Sequence, residues 1–297
     1  MKSLHSLIAS MILGSSLVAL ATRPYPNPGA VLVRLERQET NVTVVGVLEV
    51  KTWIAADKIS PSSKALIRAG MPAVVLGPSG VLGKATVGGR FEADGAPCDW
   101  VRSTNIDTTV KSPVFPAYAI FARWNPVPRA IQNIPLENAA YQKIMAAELK
   151  ARKINAPVVM SQILKTDLDG DKIDEIILVA QRPKVTFDGD GRLEPQYETG
   201  VGDYSLVLVR KVVAGKVKTF VLGERIIRKP FDQQALENGV GPQMSVLSQY
   251  VTAIANIDGD GRMEVFVDDE VHEGEGVTIL AWNGKAFKTM LEWGCGV

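Results

Sequence analysis

The chain has 297 residues, of which 46% are hydrophobic and 22% are charged, and its formal net charge is +1. This composition is that of a folded globular protein, and the length is enough for one large core or two ordinary domains. Because the chain has no basic excess, binding to nucleic acid or to an anionic membrane surface is not expected.

The first 21 residues have the pattern of an export signal. Lys2 gives a positive start, an apolar stretch follows from residue 7, and Ala19 and Ala21 fit the small-x-small cleavage rule. The apolar run of about 15 residues is shorter than the ~20 that a transmembrane helix needs. We therefore expect residues 1–21 to be removed. The mature protein would have no transmembrane segment and would be secreted, periplasmic or held at the cell surface.

Residues 22–134 are expected to form a β-rich domain. Apolar, β-branched stretches at 30–37 and 41–50 predict two pairing strands, and Gly-Pro and Gly-Gly turns interrupt the segment 71–91. Residues 135–155 are then predicted to form one linking helix. Its apolar residues recur at helical spacing and make one stripe for core packing: Tyr141, Ile144, Met145 and Leu149.

Two later segments, 167–175 and 256–264, have the same nine-residue arrangement of oxygen ligands. Asp or Asn stands at position 1, Asp at positions 3 and 5, and Glu at position 9. Side chains at positions 1, 3 and 5 with a carbonyl at 7 can wrap one side of a Ca²⁺ ion, which takes about six to eight oxygens. A carboxylate at position 9 would close the other side. The alternative interpretation is a solvated hairpin turn, since Asp and Gly are ordinary turn residues.

An EF-hand does not explain these segments. That motif needs a Glu at position 12 and a helix on either side. Position 12 is Leu178 or Val267, and both segments lead into short β-branched runs that predict strands. A third, poorer copy at residues 186–194 starts with Thr186 and lies between Pro183 and Pro195, so it favours a turn without a metal.

The region 156–297 contains an internal repeat. Each unit has a strand, an acidic loop, two strands, a Gly-Lys turn and a last strand. We therefore predict a mainly β fold whose C-terminal domain has two propeller-blade-like, four-stranded antiparallel units. Since two blades cannot close a ring, either the N-terminal strands supply the missing neighbours or the two units face each other as a sandwich.

These loops and their flanks resemble FG-GAP/VCBS-type repeats, the calcium-loop blades of integrin-alpha-like propellers, found in exported bacterial proteins. The resemblance covers about residues 156–297 and implies a Ca²⁺ ion in each loop. The implied ligands of the first loop are Asp167, Asp169, Asp171, the Ile173 carbonyl and Glu175. Those of the second loop are Asn256, Asp258, Asp260, the Arg262 carbonyl and Glu264.

The first loop departs from the family pattern, because Lys172 stands at position 6 where the family has Gly, and both loops have Glu rather than Asp at position 9. If position 6 requires a positive φ, a lysine there costs on the order of 1 kcal/mol. The first loop would then bind its ion more weakly than the second.

Three other residues leave alternatives open. Cys98 and Cys295 would reach an oxidising compartment, where they could pair, or they could be two buried thiols. His272 is the one histidine after the export signal, so a Ser-His-Asp or Cys-His site is not indicated. It lies in an acidic stretch, which favours a solvated loop or an acidic rim near the second ion.

The leading hypothesis is an exported Ca²⁺-binding β-repeat protein with a binding, adhesion or structural role. Its partner would be an extracellular protein or carbohydrate that the sequence does not identify. The alternative is an exported hydrolase of carbohydrate or envelope polymer, with catalytic carboxylates in residues 268–275.

Overall fold

The structure is a computed structural model, and it describes most of the chain from residue 29 onward. The export signal predicted at residues 1–21, Cys98, His272 and the turn of the third loop lie outside the described residues. The described ranges are 29–35, 41–59, 69–89, 92–93, 102–108, 110, 116–182, 186–187, 193–194, 200–229, 248–271 and 274–296.

The N-terminal part forms one eight-stranded antiparallel sheet with the order β3-β2-β1-β8-β4-β5-β7-β6. Strand β7 also pairs with the start of β2, so the sheet curls back on itself. Its strands are β1 (Val31–Leu35), β2 (Asn41–Glu49), β3 (Thr52–Ala55), β4 (Pro72–Gly77), β5 (Gly80–Val87), β6 (Glu92–Ala93), β7 (Arg102–Thr108) and β8 (Ala117–Phe121). A 3-10 turn, Ala56–Lys58, follows β3.

Residues 122–131, which we call the strap, connect β8 to the short strand β9 (Gln132–Asn133) and to helix α1 (Ala139–Ala151). The helix begins four residues later than predicted. The reason is its cap, since the Asn138 side chain accepts hydrogen bonds from the backbone N–H groups of Ala140 and Tyr141. An Asn at this position satisfies N–H groups that have no partner inside the helix.

The repeat has the predicted strand order, and the predicted mainly β fold is confirmed. The first unit consists of β10 (Met160–Thr166), β11 (Glu175–Arg182), β14 (Tyr204–Val213) and β15 (Lys216–Ile226), with β9 added at the β10 edge. The hairpin β12 (Thr186–Phe187) with β13 (Leu193–Glu194) lies between β11 and β14. The second unit consists of β16 (Ser248–Ala255), β17 (Glu264–Val271), β18 (Gly274–Trp282) and β19 (Phe287–Gly296).

The two units share a strand order, and the first strand of each has an irregularity. The register shifts between Met160 and Gln162 in β10 and between Val251 and Ala253 in β16. When the two acidic loops are aligned, Val251 corresponds to Gln162, so the two bulges lie two residues apart in the repeat. A bulge is a specific structural feature of a strand, and its presence in both first strands agrees with the repeat.

The sheets stack as layers, in the order N-terminal sheet, second unit, first unit and α1. Phe266 and Ile279 of the second unit pack with Leu32 and Tyr118 of the N-terminal sheet. On its other face, the second unit packs against the first unit through a separate core. Helix α1 covers the outer face of the first unit with Met145 and Leu149.

This stacking explains why β16 is buried at every position, since successive side chains point to opposite faces and both faces are covered. It also shows what packs against each of the two four-stranded units. The units stack on each other, and the N-terminal sheet covers the remaining face of the second unit. No helix within the described residues is long and apolar enough to cross a membrane. Cys295 in β19 is disulfide-bonded.

Candidate metal centre

The two acidic loops join equivalent strands. The first acidic loop, residues 167–175, connects β10 to β11, and the second, residues 256–264, connects β16 to β17. Both loops have a positive φ at position 4, with 81° at Gly170 and 79° at Gly259. Position 6 is also positive in both, with 69° at Lys172 and 91° at Gly261. The expected backbone conformation of Lys172 is therefore present.

The loops share two hydrogen bonds that hold this shape. The position 1 side chain accepts from the position 4 N–H, at 2.7 Å from Gly170 to Asp167 and 2.8 Å from Gly259 to Asn256. The Glu at position 9 accepts from the N–H at position 2, at 2.7 Å in the first loop and 2.9 Å in the second. One oxygen of each Glu is thereby fixed, which leaves the other oxygen for a cation.

Three carboxylates converge in each loop, with ligand oxygens within 4.8 Å of one another. In the first loop they belong to Asp167, Asp169 and Glu175, which are positions 1, 3 and 9. In the second loop, where position 1 is an Asn, they belong to positions 3, 5 and 9: Asp258, Asp260 and Glu264. Both Glu side chains are almost fully buried, with exposures of 0% and 1%. Each triad could hold a metal ion.

The other predicted ligands lie at the borders of the triads. Asp171 is 39% exposed and one of its oxygens accepts from the Ile173 N–H at 2.8 Å. Ile173 is exposed. The Asn256 oxygen already accepts from Gly259, and Arg262 donates its guanidinium to the Trp282 carbonyl at 2.9 Å. These contacts do not show that the Ile173 and Arg262 carbonyls, at position 7 of the two loops, point toward the triads.

The strap holds both loops from the outside. Trp124 donates its indole N–H to the Asn256 carbonyl at 2.8 Å, and Arg129 donates to the Asp167 carbonyl and, at 2.9 Å, to the Leu168 carbonyl. The loops also bond to each other, since the Met263 N–H donates to Leu168 at 2.7 Å. The two loops therefore form one connected structure, although 89 residues separate equivalent positions such as Asp169 and Asp258.

A lysine ammonium lies among the carboxylates of the first loop. The Lys211 Nζ, carried by β14, is 2.7 Å from the Glu175 Oε1, 2.8 Å from the Asp169 Oδ2 and 3.5 Å from the Asp171 Oδ2. Only 4% of Lys211 is exposed, and its Nζ lies 5.6 Å from the ring centre of Trp282. The other Asp169 oxygen is buried without a hydrogen-bond partner.

These contacts change the acid-base properties of the first loop. Burial alone would lower the pKa of Lys211, but hydrogen bonds from its ammonium to Asp169 and Glu175 outweigh burial, and the pKa is raised. Burial raises the pKa of Glu175 despite the opposing effect of Lys211. The ammonium therefore stays charged at neutral pH, and the loop contains its own positive charge.

The second loop has no such partner within the described part of the chain. No Lys or Arg there lies within salt-bridge distance of Asp258 or Glu264, and Arg262 reaches only the exposed Asp260, at 3.5 Å. Burial, with repulsion from Asp258 and Asp260, raises the pKa of Glu264 well above its ordinary value. Burial likewise raises the pKa of Asp258. Among the described residues, no basic side chain compensates the charge of Asp258 or Glu264.

A different acid, Asp268, lies in the layer between the N-terminal sheet and the second unit. It is 1% exposed and accepts hydrogen bonds from the Tyr118 hydroxyl, at 2.8 and 2.9 Å, and from the Thr252 hydroxyl. Arg34 lies 3.6 Å away and also pairs with Glu275. Burial raises the pKa of Asp268 to about 7, against the lowering effect of Arg34.

Comparisons with protein-family models, with curated proteins and with solved structures found no match to this chain. The site is therefore interpreted from its own residues.

The sequence prediction missed the residues that bring charge and support to the loops, namely Lys211, Trp282, Arg129 and Trp124. One signal was available. Arg210 and Lys211 interrupt the apolar strand β14, and a lysine in a buried strand needs a partner of opposite charge. The sequence did not identify that partner, because the pairing of β14 with β11 is what brings Lys211 to Glu175.

Proposed function

We propose that the protein is an exported β-repeat protein in which Ca²⁺, bound by at least one of the two acidic loops, stabilises the layered fold. Its role would be binding, adhesion or structural support outside the cell, with an extracellular protein or carbohydrate as partner. The observation that carries the proposal is the convergence of three carboxylates at the equivalent hairpin of both units.

The chemistry of the triads supports calcium over other metals. All charged ligands are carboxylates, without His or Cys, and such oxygen sets suit Ca²⁺, Mg²⁺ or Mn²⁺ rather than Zn²⁺ or Cu²⁺. Ca²⁺ accepts irregular oxygen sets at 2.3–2.6 Å, whereas Mg²⁺ demands near-octahedral geometry. An exported protein would meet millimolar Ca²⁺, enough to fill sites with Kd of about 10⁻⁴–10⁻³ M.

Calcium would have a mechanical consequence because the loops lie between layers. The strap bonds to both loops, and the loops bond to each other through Met263 and Leu168. An ion that binds only the native loop adds its binding free energy to the stability of the fold. Calcium would therefore fasten the strap to the loop that binds the ion.

The position of Asp268 weighs against the hydrolase alternative. A catalytic carboxylate must reach substrate, but Asp268 is buried and takes hydrogen bonds from Tyr118 and Thr252. Asp269 is bonded to the Gln249 amide at 2.6 Å, and Glu275 pairs with Arg34. These contacts support a structural role for the acidic stretch.

The test is a thermal melt of the chain from residue 22 onward, in EDTA and in Ca²⁺ at about ten times Kd. Each bound ion should add about 1.4 kcal/mol to the stability, which is roughly 3–6 °C in Tm. Asp169→Ala with Asp258→Ala should abolish the shift, whereas Asp107→Ala, an exposed acid on β7, should keep it. Equal melting in EDTA and Ca²⁺ for the wild type would refute the proposal.

A second measurement addresses the alternative. The wild type and an Asp268→Asn variant should both show no saturable turnover of polysaccharides or envelope polymers. Turnover that disappears with Asp268→Asn or Glu273→Gln would favour the hydrolase.

A further inference from the structure

We infer that Lys211 is the built-in cation of the first acidic loop, so that this loop takes no divalent ion and the second acidic loop is the calcium site of the pair. The part concerning the second loop rests on the proposed function. The part concerning Lys211 rests on the geometry of the first loop alone.

The Lys211 ammonium occupies the space that a metal ion would need. Its Nζ is 2.7 Å from Glu175 and 2.8 Å from Asp169, two of the three acids in the triad. A Ca²⁺ ion bound to the same oxygens would lie 2.3–2.6 Å from them. The two positions nearly coincide, and both groups are positive. Ion and ammonium therefore exclude each other.

Lys211 is also held in place. It is nearly fully buried, and the indole ring of Trp282, from the second unit, covers it with its centre 5.6 Å from the Nζ. Trp282 is itself fixed, because Arg262 donates to its carbonyl and its ring packs against Phe220 and Phe287, with centroids 5.1 and 5.2 Å apart. An ion could enter only if the lysine left from beneath this aromatic cover.

The register of the strands identifies the equivalent residue in the second unit. Arg210 pairs with Ile176, the residue after Glu175, and Leu280 pairs with Val265, the residue after Glu264. One step further along each strand, Lys211 therefore corresponds to Ala281. An alanine methyl can neither reach the carboxylates nor supply a charge.

The first loop also indicates what the second loop lacks. Two of its three triad carboxylates, built on the same backbone conformation, bond to one positive charge. The second loop has a triad of the same size and a position 9 Glu that is 1% exposed. It has no lysine at the corresponding place. A cation from solution is the group that would complete it.

The consequence is a division of roles between the loops. The first loop keeps its shape at any calcium concentration, because its cation is part of the chain. The second loop, bonded to Trp124 of the strap, orders in response to calcium. Calcium would then act where the second unit meets the strap and the N-terminal sheet, and the joint between the two units would not depend on it.

The experiment changes the equivalent residues Ala281 and Lys211 and counts the Ca²⁺ ions bound by each variant. Metal-free full chain is titrated with CaCl₂ by isothermal titration calorimetry. We expect one ion per wild-type chain, lost with Glu264→Gln and kept with Glu175→Gln. Ala281→Lys, which changes no ligand, should abolish binding. Ala281→Met, of similar length without charge, should keep it.

The reverse exchange tests the first loop. Lys211→Met should raise the count from one ion to two. If this variant fails to fold, Ala281→Lys against Ala281→Met still decides whether a lysine at this position excludes the ion. Tb³⁺ luminescence gives a second readout, since Trp124 lies beside the second loop and Trp282 beside the first. Lys211→Met should add emission that survives Trp124→Phe.

The outcomes separate the two proposals. Two ions in the wild type, one of them lost with Glu175→Gln, would overturn the inference and uphold calcium binding. No ion in the wild type but one in Lys211→Met would uphold the role of Lys211 and overturn calcium binding by the second loop. No ion in either chain would overturn both.

Discussion

The two acidic loops have the same backbone conformation but different charges beside their acids. Both lie at the first hairpin of a four-stranded unit, and both fix a buried Glu with the N–H of position 2. The first loop contains Lys211, and the second has Ala281 at the equivalent place. A repeat can thus keep its fold while only one copy contains an internal salt bridge at its acidic loop.

The energetics of buried charges explain why Lys211 and the acids of the first loop occur together. A buried ion pair gains little net stability over an apolar pair, but a buried charge without its partner is costly. In the first loop, Lys211 and the buried Glu175 therefore depend on each other for charge compensation. We infer that this loop keeps its shape without calcium.

The largest expected effect tests this dependence. Lys211→Met leaves the buried Glu175 and Asp169 without a counter-charge and should lower the free energy of unfolding by about 3–5 kcal/mol. Urea denaturation in EDTA measures the loss. Arg210→Met, on the opposite face of the same strand, should cost less than about 1 kcal/mol. Equal losses in the two variants would mean that Lys211 is not the charge partner of the loop.

The next largest effect concerns Asp268, a buried acid that the second unit has and the first unit lacks. Asp268 stands where the first unit has Val179, since Asp268 pairs with Val277 and Val179 with Val207 in the equivalent strands. The residues that face this acid are Arg34 and Tyr118 from the N-terminal sheet and Tyr250, Thr252 and Glu275 from the second unit.

The pH dependence follows from the raised pKa. Between pH 4 and the folded pKa of about 7, the unfolded chain has lost the Asp268 proton while the folded chain keeps it. Raising the pH through this window therefore lowers the stability of the fold, by roughly 2–4 kcal/mol, and the loss levels off above pH 7.

Urea denaturation at several pH values in EDTA measures the contribution of Asp268 to stability, as a difference between the wild type and a variant. Asp268→Asn should become more stable relative to the wild type as the pH rises from 4 to 8. Asp107→Asn, at an exposed position, should follow the wild type throughout. Parallel curves for Asp268→Asn and the wild type would show that burial does not hold the proton on Asp268.

The smallest effect compares position 6 of the two loops. Lys172 has a φ of 69°, which a lysine adopts at a cost, whereas Gly261 at 91° has nothing within 4 Å of the place where a Cβ would be. Lys172→Gly should stabilise the fold and Gly261→Ala should destabilise it, each by about 0.5–1 kcal/mol.

Differential scanning calorimetry in EDTA is the measurement for this pair of variants. Lys165→Gly, in the preceding strand, should destabilise the protein, because glycine weakens a strand. A loss of stability in Lys172→Gly would indicate that the lysine side chain contributes more than its backbone conformation costs.

Local patterns made much of this architecture predictable. The nine-residue spacing located both hairpin loops, and the order of strands around the Gly-Lys turns identified the repeat. The expected positive φ at Lys172 is present as well. The start of α1 was less exact, because the cap is made by Asn138 while Pro135 suggested an earlier start. These features depend on residues near each other in the chain, and their spacing is visible in the sequence.

The sequence by itself determined the β-rich fold, the two loops and their acidic residues. Only the tertiary structure decided which loop contains its own cation, which face of each unit is covered and which acid is buried between layers. Lys211 meets Glu175 across 36 residues, and Tyr118 meets Asp268 across 150. Such contacts arise from strand register and layer packing, because folding brings together side chains whose separation in the chain carries no periodic signal.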